Sequence, residues 1–168
     1  KQMDLELVHE ARRRVVSGLK VVTGARVLEV GCRSGLNQPL LIKVLGETGQ
    51  IVALDASIEM LNQAKVRARE QGYADRVVFI HGDARKLELL LRDAGEDDEF
   101  DALFLSLILT VVPDWQQVFE TAYEHLKVGG RCDVMDSYWS KSSITHWLVR
   151  SLYAADSKRS TFVPLREI

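Results

Sequence analysis

The fold is decided by residues 26–35, Arg-Val-Leu-Glu-Val-Gly-Cys-Arg-Ser-Gly, where a short apolar run passes directly into a glycine-containing turn. Arg26–Val30 stops at a glycine and is typical of a strand that is covered on both faces. Gly31 and Gly35 permit a tight turn and let a ligand approach the backbone closely. A helix is predicted to follow, with Pro39 in its first turn, and helix N–H groups can bind an anionic group. The alternative is a strand–helix turn that simply requires glycine.

Strand and helix patterns alternate on both sides of this turn. Further strands are predicted at 51–55, 77–80, 100–109 and 131–135, and helices at 1–22, 36–45, 57–72, 87–91, 115–126 and 142–155. This spacing predicts right-handed strand–helix–strand units and a parallel sheet. We expect one α/β domain over 1–168, made of an N-terminal helix (1–22), a motif-bearing core (24–137) and a C-terminal amphipathic helix (142–155). The arginine run 12–14 is interpreted as a solvated helix face, the alternative being contact with an anionic surface.

Composition excludes several classes of protein. The 168 residues are 46% hydrophobic and 27% charged, as in an ordinary soluble domain. The 22 basic and 24 acidic residues give a net charge of −2, so no nucleic-acid partner is expected. No apolar run reaches the roughly 18 residues of a transmembrane segment. Cys32 and Cys132 form neither a disulfide framework nor a metal-binding pair, so we expect a cytoplasmic protein without a metal, and a homodimer is left open.

Ligands of open parallel sheets bind beyond the carboxyl ends of the strands. The residues in those positions are Gly31–Gly35, Asp55, Asp83, Ser106 and Asp136. Asp55 can accept two hydrogen bonds from a ribose diol, or it can serve as a favourable charge at a helix N-terminus, worth roughly 0.3–1 kcal/mol. Asp83 can accept from an exocyclic amine or cap the next helix. The dinucleotide pattern G-x-G-x-x-G is not met, since Arg33 and Leu36 hold two glycine positions, which disfavours NAD and FAD.

Five segments, in order, resemble the motifs of the class I S-adenosylmethionine-dependent methyltransferases. They are VLEVGCRSG (27–35), IVALDAS (51–57), FIHGDAR (79–85), FDALFLSLILTVVPDW (100–115) and LKVGGR (126–131). The resemblance covers Gly24 to Asp136. It implies a Rossmann-like parallel sheet with helices on both faces, and because few residues follow strand five, a sheet that lacks the last two strands of that family.

The resemblance also implies S-adenosylmethionine as cofactor. Glu29, Gly31 and Gly35 would shape the pocket for its methionine part. Asp55 would hold the ribose hydroxyls and Asp83 the adenine amine. The full set of implied cofactor-binding residues is Glu29, Gly31, Cys32, Arg33, Gly35, Asp55, Ala56, Met60, Asp83, Ala84, Ser106 and Leu107. No catalytic residue is assigned.

Arg33 stands where the family usually has its middle glycine. Because a Cβ makes a left-handed backbone costly, we expect Arg33 to have a negative φ. Its side chain would then point out of the pocket or lie across its mouth, where the guanidinium could pair with the cofactor carboxylate.

For the methyl acceptor, the sequence indicates a class of molecule. Leu105–Ile108 replace the Asn/Asp-Pro-Pro-Tyr signature of amide and nucleobase methyltransferases, and the segments around them are similar to quinone C-methyltransferases and phosphatidylethanolamine-type N-methyltransferases. Tyr138, Trp139 and His146 are predicted to contact the acceptor, His146 as a candidate base, and the alternative for His146 is an ordinary surface histidine. The predicted function is methyl transfer to a small-molecule or lipid-like acceptor by in-line displacement. A non-catalytic methyltransferase-like binding module is the alternative.

Overall fold

The computed structural model of the protein describes residues 2–139 and 145–153. Its strands are β1 (Arg26–Val30), β2 (Gln50–Asp55), β3 (Val77–His81), β4 (Phe100–Ser106), β5 (Leu126–Trp139) and β6 (Thr145–Tyr153). Its helices are α1 (Gln2–Gly18), α2 (Gln38–Leu45), α3 (Ile58–Glu70), α4 (Leu87–Asp93) and α5 (Trp115–Glu124), with short 3-10 turns at Ala74–Arg76 and Ala84–Lys86.

The strands form one sheet in the order β3-β2-β1-β4-β5-β6. The first five are parallel, which confirms the predicted Rossmann-like α/β fold. The chain order reverses direction between β1 and β4, and ligands of such sheets bind in the crevice at that point.

The local sequence explains where α2 and α3 begin. Pro39 lies in the first turn of α2, where a missing N–H removes no helical hydrogen bond. Ser57 is the N-cap of α3, and its hydroxyl accepts a hydrogen bond from the Met60 N–H at 3.3 Å. Since α2 follows β1 and α3 follows β2 after a short turn, both helices start at the edge of the sheet where these strands end.

An apolar core lies on each face of the sheet, as expected for helices on both faces. On one face Val27 of β1 packs among residues of α1, α2 and α3, including the fully buried Leu41 and Leu61. On the other face Leu28 packs among residues of α4 and α5. Each fully buried leucine contributes roughly 1.5–3 kcal/mol to folding, so both layers hold the strand ends in place.

The predicted C-terminal helix over 142–155 is wrong for residues 145–153, which form β6. This strand pairs antiparallel with β5, from Trp139↔Thr145 to Arg131↔Tyr153. The helical spacing of apolar residues was misleading because β5 would otherwise leave a row of unpaired N–H and C=O groups at the sheet edge. The five-stranded parallel sheet is thus extended by one antiparallel strand, and residues 140–144 and 154–155 of the predicted helix lie outside the described residues.

Within residues 2–139 and 145–153, no helix has the length and apolar character needed to span a membrane.

Candidate functional site

Backbone hydrogen bonds tie the strand exits together at the carboxyl edge of the sheet. The N–H groups of Gly31 and Cys32 both donate to the Leu54 carbonyl, at 2.8 and 3.0 Å. The Gly82 N–H donates to the Asp55 carbonyl at 3.1 Å. The turns after β1, β2 and β3 therefore form one connected surface, as the sequence predicted.

Asp55 lies at the centre of this surface. Its Oδ2 accepts a hydrogen bond from the Arg33 backbone N–H at 2.7 Å, and its Oδ1 accepts one from the Ser57 N–H at 2.9 Å. A carboxylate has about four acceptor positions, so about two remain. Since a ribose diol offers two hydroxyl donors, the remaining capacity of Asp55 matches a ribose.

The predicted negative φ at Arg33 is wrong. Its φ is 51°, in the left-handed region where a residue with a Cβ is strained by about 1–2 kcal/mol. The hydrogen bond from its N–H to Asp55 explains why the turn keeps this conformation, because a bond to a charged acceptor contributes about 1.5–3 kcal/mol. The Arg33 side chain is exposed.

Glu29 is fully buried, at 0% exposed, so its side chain presents no surface to a ligand. Its Oε1 accepts from Asn37 Nδ2 and its Oε2 from Gln38 Nε2, both at 3.1 Å. Burial raises the pKa of Glu29 to about 7, while the two amide hydrogen bonds act in the opposite direction. Glu29 therefore supports the start of α2 from behind, and a role in shaping the pocket is an indirect one.

Close packing explains the glycines of the first turn. A Cβ on Gly31 would lie 2.3 Å from the Ser106 carbonyl oxygen, and one on Gly35 would lie 3.0 Å from the Ala64 Cβ. The alternative interpretation, a strand–helix turn that simply requires glycine, is therefore supported at both positions, which also have positive φ values of 79° and 72°. The Cys32 thiol is buried in the core beneath α1 to α3, and burial raises its pKa, so only its backbone borders the turn.

Asp83 carries a partner that the sequence reasoning missed. Its carboxylate accepts hydrogen bonds from the Arg85 backbone N–H at 3.0 Å and from the Arg85 guanidinium, with Nε at 2.9 Å from Oδ2. These bonds lower the pKa of Asp83 to about 2. A second carboxylate, Asp114 at the start of α5, lies 3.7 Å from the same guanidinium. Arg85 makes two contacts with each oxygen of Asp83, and its Nε is shared between the two oxygens, so an amine N–H of a ligand would share the carboxylate with Arg85.

The exit of β4 is strained in the same way as the first turn. Leu107 has a φ of 56°, and its N–H donates to the Met135 carbonyl at 2.8 Å. Asp136, at the exit of β5, accepts from the Leu109 N–H at 2.7 Å and from the Thr110 hydroxyl at 2.5 Å. Backbone strain of this kind clusters at functional sites, and here Arg33 and Leu107 lie in the turns that follow β1 and β4, the two strands that flank the crevice.

The other predicted residues take different positions around the edge. Ala56 is exposed, and its carbonyl accepts from His81 Nε2 at 3.1 Å, while Met60 is half-buried in the first turn of α3. Ala84 and Ser106 are buried. Tyr138 lies opposite His146 in the pairing of β5 with β6, and Trp139 lies opposite Thr145. That register brings the three predicted acceptor residues to one end of the β5–β6 pair, and their roles stay predictions.

Together the described residues fit an adenosine-containing cofactor. Asp55 has acceptor capacity for two hydroxyl groups, and a second carboxylate, Asp83, lies at the exit of the adjacent strand. The pairing of Arg85 with Asp83 could have been predicted from the local sequence, because Gly-Asp-Ala-Arg places Arg85 two residues after Asp83.

Comparisons with known proteins point in the same direction. A family model described as "Methyltransferase domain" matches residues 27–130. The chain is 35% identical over 127 residues to a 2-phytyl-1,4-naphtoquinone methyltransferase of Synechococcus elongatus, covering 76% of this chain and 52% of that protein. It is 30% identical over 119 residues to a demethylmenaquinone methyltransferase of Staphylococcus saprophyticus, covering 71% and 47%. The chain therefore spans about half the length of these curated relatives.

A solved structure shows the same fold. The SAM-dependent methyltransferase from Aquifex aeolicus superimposes with a TM-score of 0.66 at 22% identity, covering 79% of this chain and 67% of that one.

Proposed function

This chain belongs to the class I S-adenosylmethionine-dependent methyltransferases, and we propose that it transfers the methyl group of that cofactor to an apolar small-molecule acceptor. The observation that carries the proposal is the hydrogen bonding of the Asp55 carboxylate. This carboxylate is fixed by two backbone N–H groups and keeps about two acceptor positions for the ribose diol.

When bound, S-adenosylmethionine supplies a methyl group on a positively charged sulfur, which is already activated for displacement. The chain's own residues then need to position the two reactants, and positioning alone can supply a large part of the rate. Asp55 orients the ribose and Asp83 holds the adenine amine. Leu107 and Ser106, at the exit of β4, border the methionine side, where the strained backbone fixes their orientation.

The segment after β4 supports an apolar acceptor. Val111 is 68% exposed, Leu109 and Val112 are half-buried, and Asp136 anchors the backbone of this segment at Leu109. Such an arrangement offers an apolar surface beside the crevice. The names of the two bacterial relatives indicate quinone acceptors, and we propose a quinone-like or comparably apolar acceptor for this chain.

Methyl transfer can be tested with S-adenosylmethionine labelled on its methyl group. The labelled cofactor is incubated with the chain and a panel of demethylated naphthoquinones, and label is counted in the organic extract. We expect label in the extract with the parent protein and a strong loss with Asp55→Ala. Asp75→Asn is the matched control, because Asp75 is an exposed carboxylate at the opposite edge of the sheet. Cofactor binding without transfer to any acceptor would favour the non-catalytic binding module.

A further inference from the structure

Arg85 lies between two carboxylates that belong to different parts of the site. Its Nε and Nη2 contact the Asp83 carboxylate at the exit of β3, with Nε at 2.9 Å from Oδ2. Its third guanidinium nitrogen, Nη1, lies 3.7 Å from Asp114 Oδ2. Both carboxylates raise the pKa of Arg85, Asp83 more strongly than Asp114. One side chain thus links the carboxylate proposed for the adenine amine with the residue that precedes α5.

The carboxylate of Asp114 contacts Arg85 rather than its own helix. Asp114 is the N-cap residue of α5, a position where an aspartate commonly accepts a hydrogen bond from an N–H of the first helical turn. Among the described residues its side chain makes no such capping bond, while its backbone carbonyl accepts from the Val118 N–H at 3.3 Å. The Asp114 carboxylate is therefore available to a partner outside α5, and the Arg85 guanidinium lies beside it.

Asp114 ends the segment 107–114, which connects β4 with α5 beside the crevice. The first half of this segment is fixed to β5, since the Leu109 N–H donates to Asp136 Oδ2 at 2.7 Å. The other end carries Asp114, whose side chain is 57% exposed and whose ion pair is with Arg85. How firmly that end of the segment is held therefore depends on Arg85.

A ligand amine at Asp83 would change the contacts of Arg85. A carboxylate has about four acceptor positions, and Arg85 makes two contacts with each oxygen of Asp83, so an adenine amine has to take over a position that the guanidinium occupies. The displaced guanidinium has Asp114 within reach. A shift of about 0.7 Å brings Nη1 from 3.7 Å to the usual hydrogen-bond distance of about 3.0 Å.

We propose that Arg85 is a positioning residue of the methyl transfer, which moves from Asp83 towards Asp114 when adenine binds and thereby fixes the end of the segment 107–114. The bound cofactor in this way orders the segment that borders the methyl acceptor. By linkage, an acceptor that orders the segment strengthens the binding of the cofactor in turn. The identity of the ligand at Asp83 rests on the proposed function, whereas the contacts of Arg85 do not.

Amide exchange followed by NMR tests this link without any methyl acceptor. The probes are S-adenosylhomocysteine and its 6-deamino analogue, whose purine has hydrogen in place of the amine, each at a concentration that calorimetry shows to be saturating. The amides of Leu109, Val112 and Val118 report on the segment and on the start of α5, because each is hydrogen-bonded. In the parent we expect their exchange to be about two- to fivefold slower with S-adenosylhomocysteine than with the analogue, as for a strengthened ion pair at the surface.

Two variants remove the link from either side. Arg85→Gln and Asp114→Asn should each abolish the difference between the two ligands while S-adenosylhomocysteine still binds. Asp114→Asn decides the outcome if Arg85→Gln no longer binds, because it leaves the pair of Arg85 with Asp83 intact. Arg92→Gln and Asp93→Asn, at exposed residues of α4, are the matched controls and should keep the difference.

Equal exchange with both ligands in the parent, or a difference that persists in Asp114→Asn, would overturn the inference. A purely structural role of Arg85 would give the first result, since it changes exchange equally with either ligand. Failure of the proposed function looks different, because the parent would then bind neither nucleoside, and the inference would fall with it.

Discussion

The backbone N–H of Arg33 donates a hydrogen bond to Asp55 Oδ2 at 2.7 Å, which joins the turn after β1 to the carboxylate after β2. The bond holds Arg33 in a left-handed conformation and directs the carboxylate of Asp55 towards the turn. This hydrogen bond therefore couples the two motifs that resemble a cofactor site. A substitution of either residue should change the conformation of the other.

Arg33→Gly tests the backbone strain at this turn through the free energy of unfolding. Glycine adopts a φ of 51° without a Cβ clash, so we expect the free energy of unfolding to rise by about 1 kcal/mol. Lys20→Gly is the matched control, since Lys20 has a φ of 44° and lies outside the site. Denaturant unfolding should show a similar gain for both variants, but only Arg33→Gly should change cofactor affinity. A loss of stability in Arg33→Gly alone would contradict the strain that we assign to this turn.

Glu29 should make stability depend on pH near neutrality. Its pKa is about 7 in the folded chain against 4.5 ordinarily, so the folded state binds the extra proton between these values. Stability from this group is fully present below pH 4.5 and falls as pH rises to about 7, by on the order of 3 kcal/mol. Urea unfolding at a series of pH values should show this loss in the parent.

Glu29→Gln should remove that loss, because an amide carries no charge to bury. The new amide keeps one oxygen, which still accepts from one of the two neighbouring amides. Rotation of the other amide would present its oxygen, Asn37 Oδ1 or Gln38 Oε1, to the new N–H donors, and both of these oxygens are buried without a partner among the described residues. Glu47→Gln, at an exposed carboxylate, should keep the pH dependence of the parent. If Glu29→Gln keeps it as well, Glu29 is not the group that titrates.

Arg85 should control the ionisation of Asp83. Its hydrogen bonds lower the pKa of Asp83 to about 2, so this acceptor stays ionised in all but strongly acidic solution. In Arg85→Ala the pKa should return towards 3.8, which carboxyl carbon NMR shifts would show directly. Arg92→Ala, at an exposed arginine of α4, should leave the Asp83 titration unchanged. An unchanged titration in Arg85→Ala would exclude the ion pair in solution.

The pairing of β6 with β5 predicts slow amide exchange. Residues Cys132–Met135 lie between β4 and β6, so both edges of β5 are hydrogen-bonded there. We expect strong protection over this segment. Rapid exchange along it would show that the sheet ends at β5 and that this edge is open.

The sequence predicted the strand exits because their signals are local. Gly31 follows an apolar run, and Asp55 ends the next one, so each can be recognised within a few residues. The contact between Arg33 and Asp55 could not be predicted in this way, since it depends on a φ that propensity disfavours. Tertiary hydrogen bonding overrides the local preference at that position.

Two other differences have similar causes. The apolar spacing within 145–153 fits a helix, but the pairing requirements of the β5 edge select a strand. The arginine run 12–14 reads as a solvated face, and this holds for Arg13 and Arg14. Arg12 differs because it is half-buried and its Nε is shielded from solvent, which no local pattern reveals.

Calorimetric titration of the parent and Asp55→Ala with S-adenosylmethionine tests the central claim most directly. We expect saturable one-to-one binding to the parent and a loss of about 1.5–3 kcal/mol in Asp55→Ala, the usual contribution of charge-assisted hydrogen bonds. The variant should also be less stable, because Asp55 accepts from the N–H groups of Arg33 and Ser57. Titrations are therefore made at a temperature where the variant is folded. No binding to the parent at millimolar cofactor, or equal affinity in the two proteins, would contradict the account.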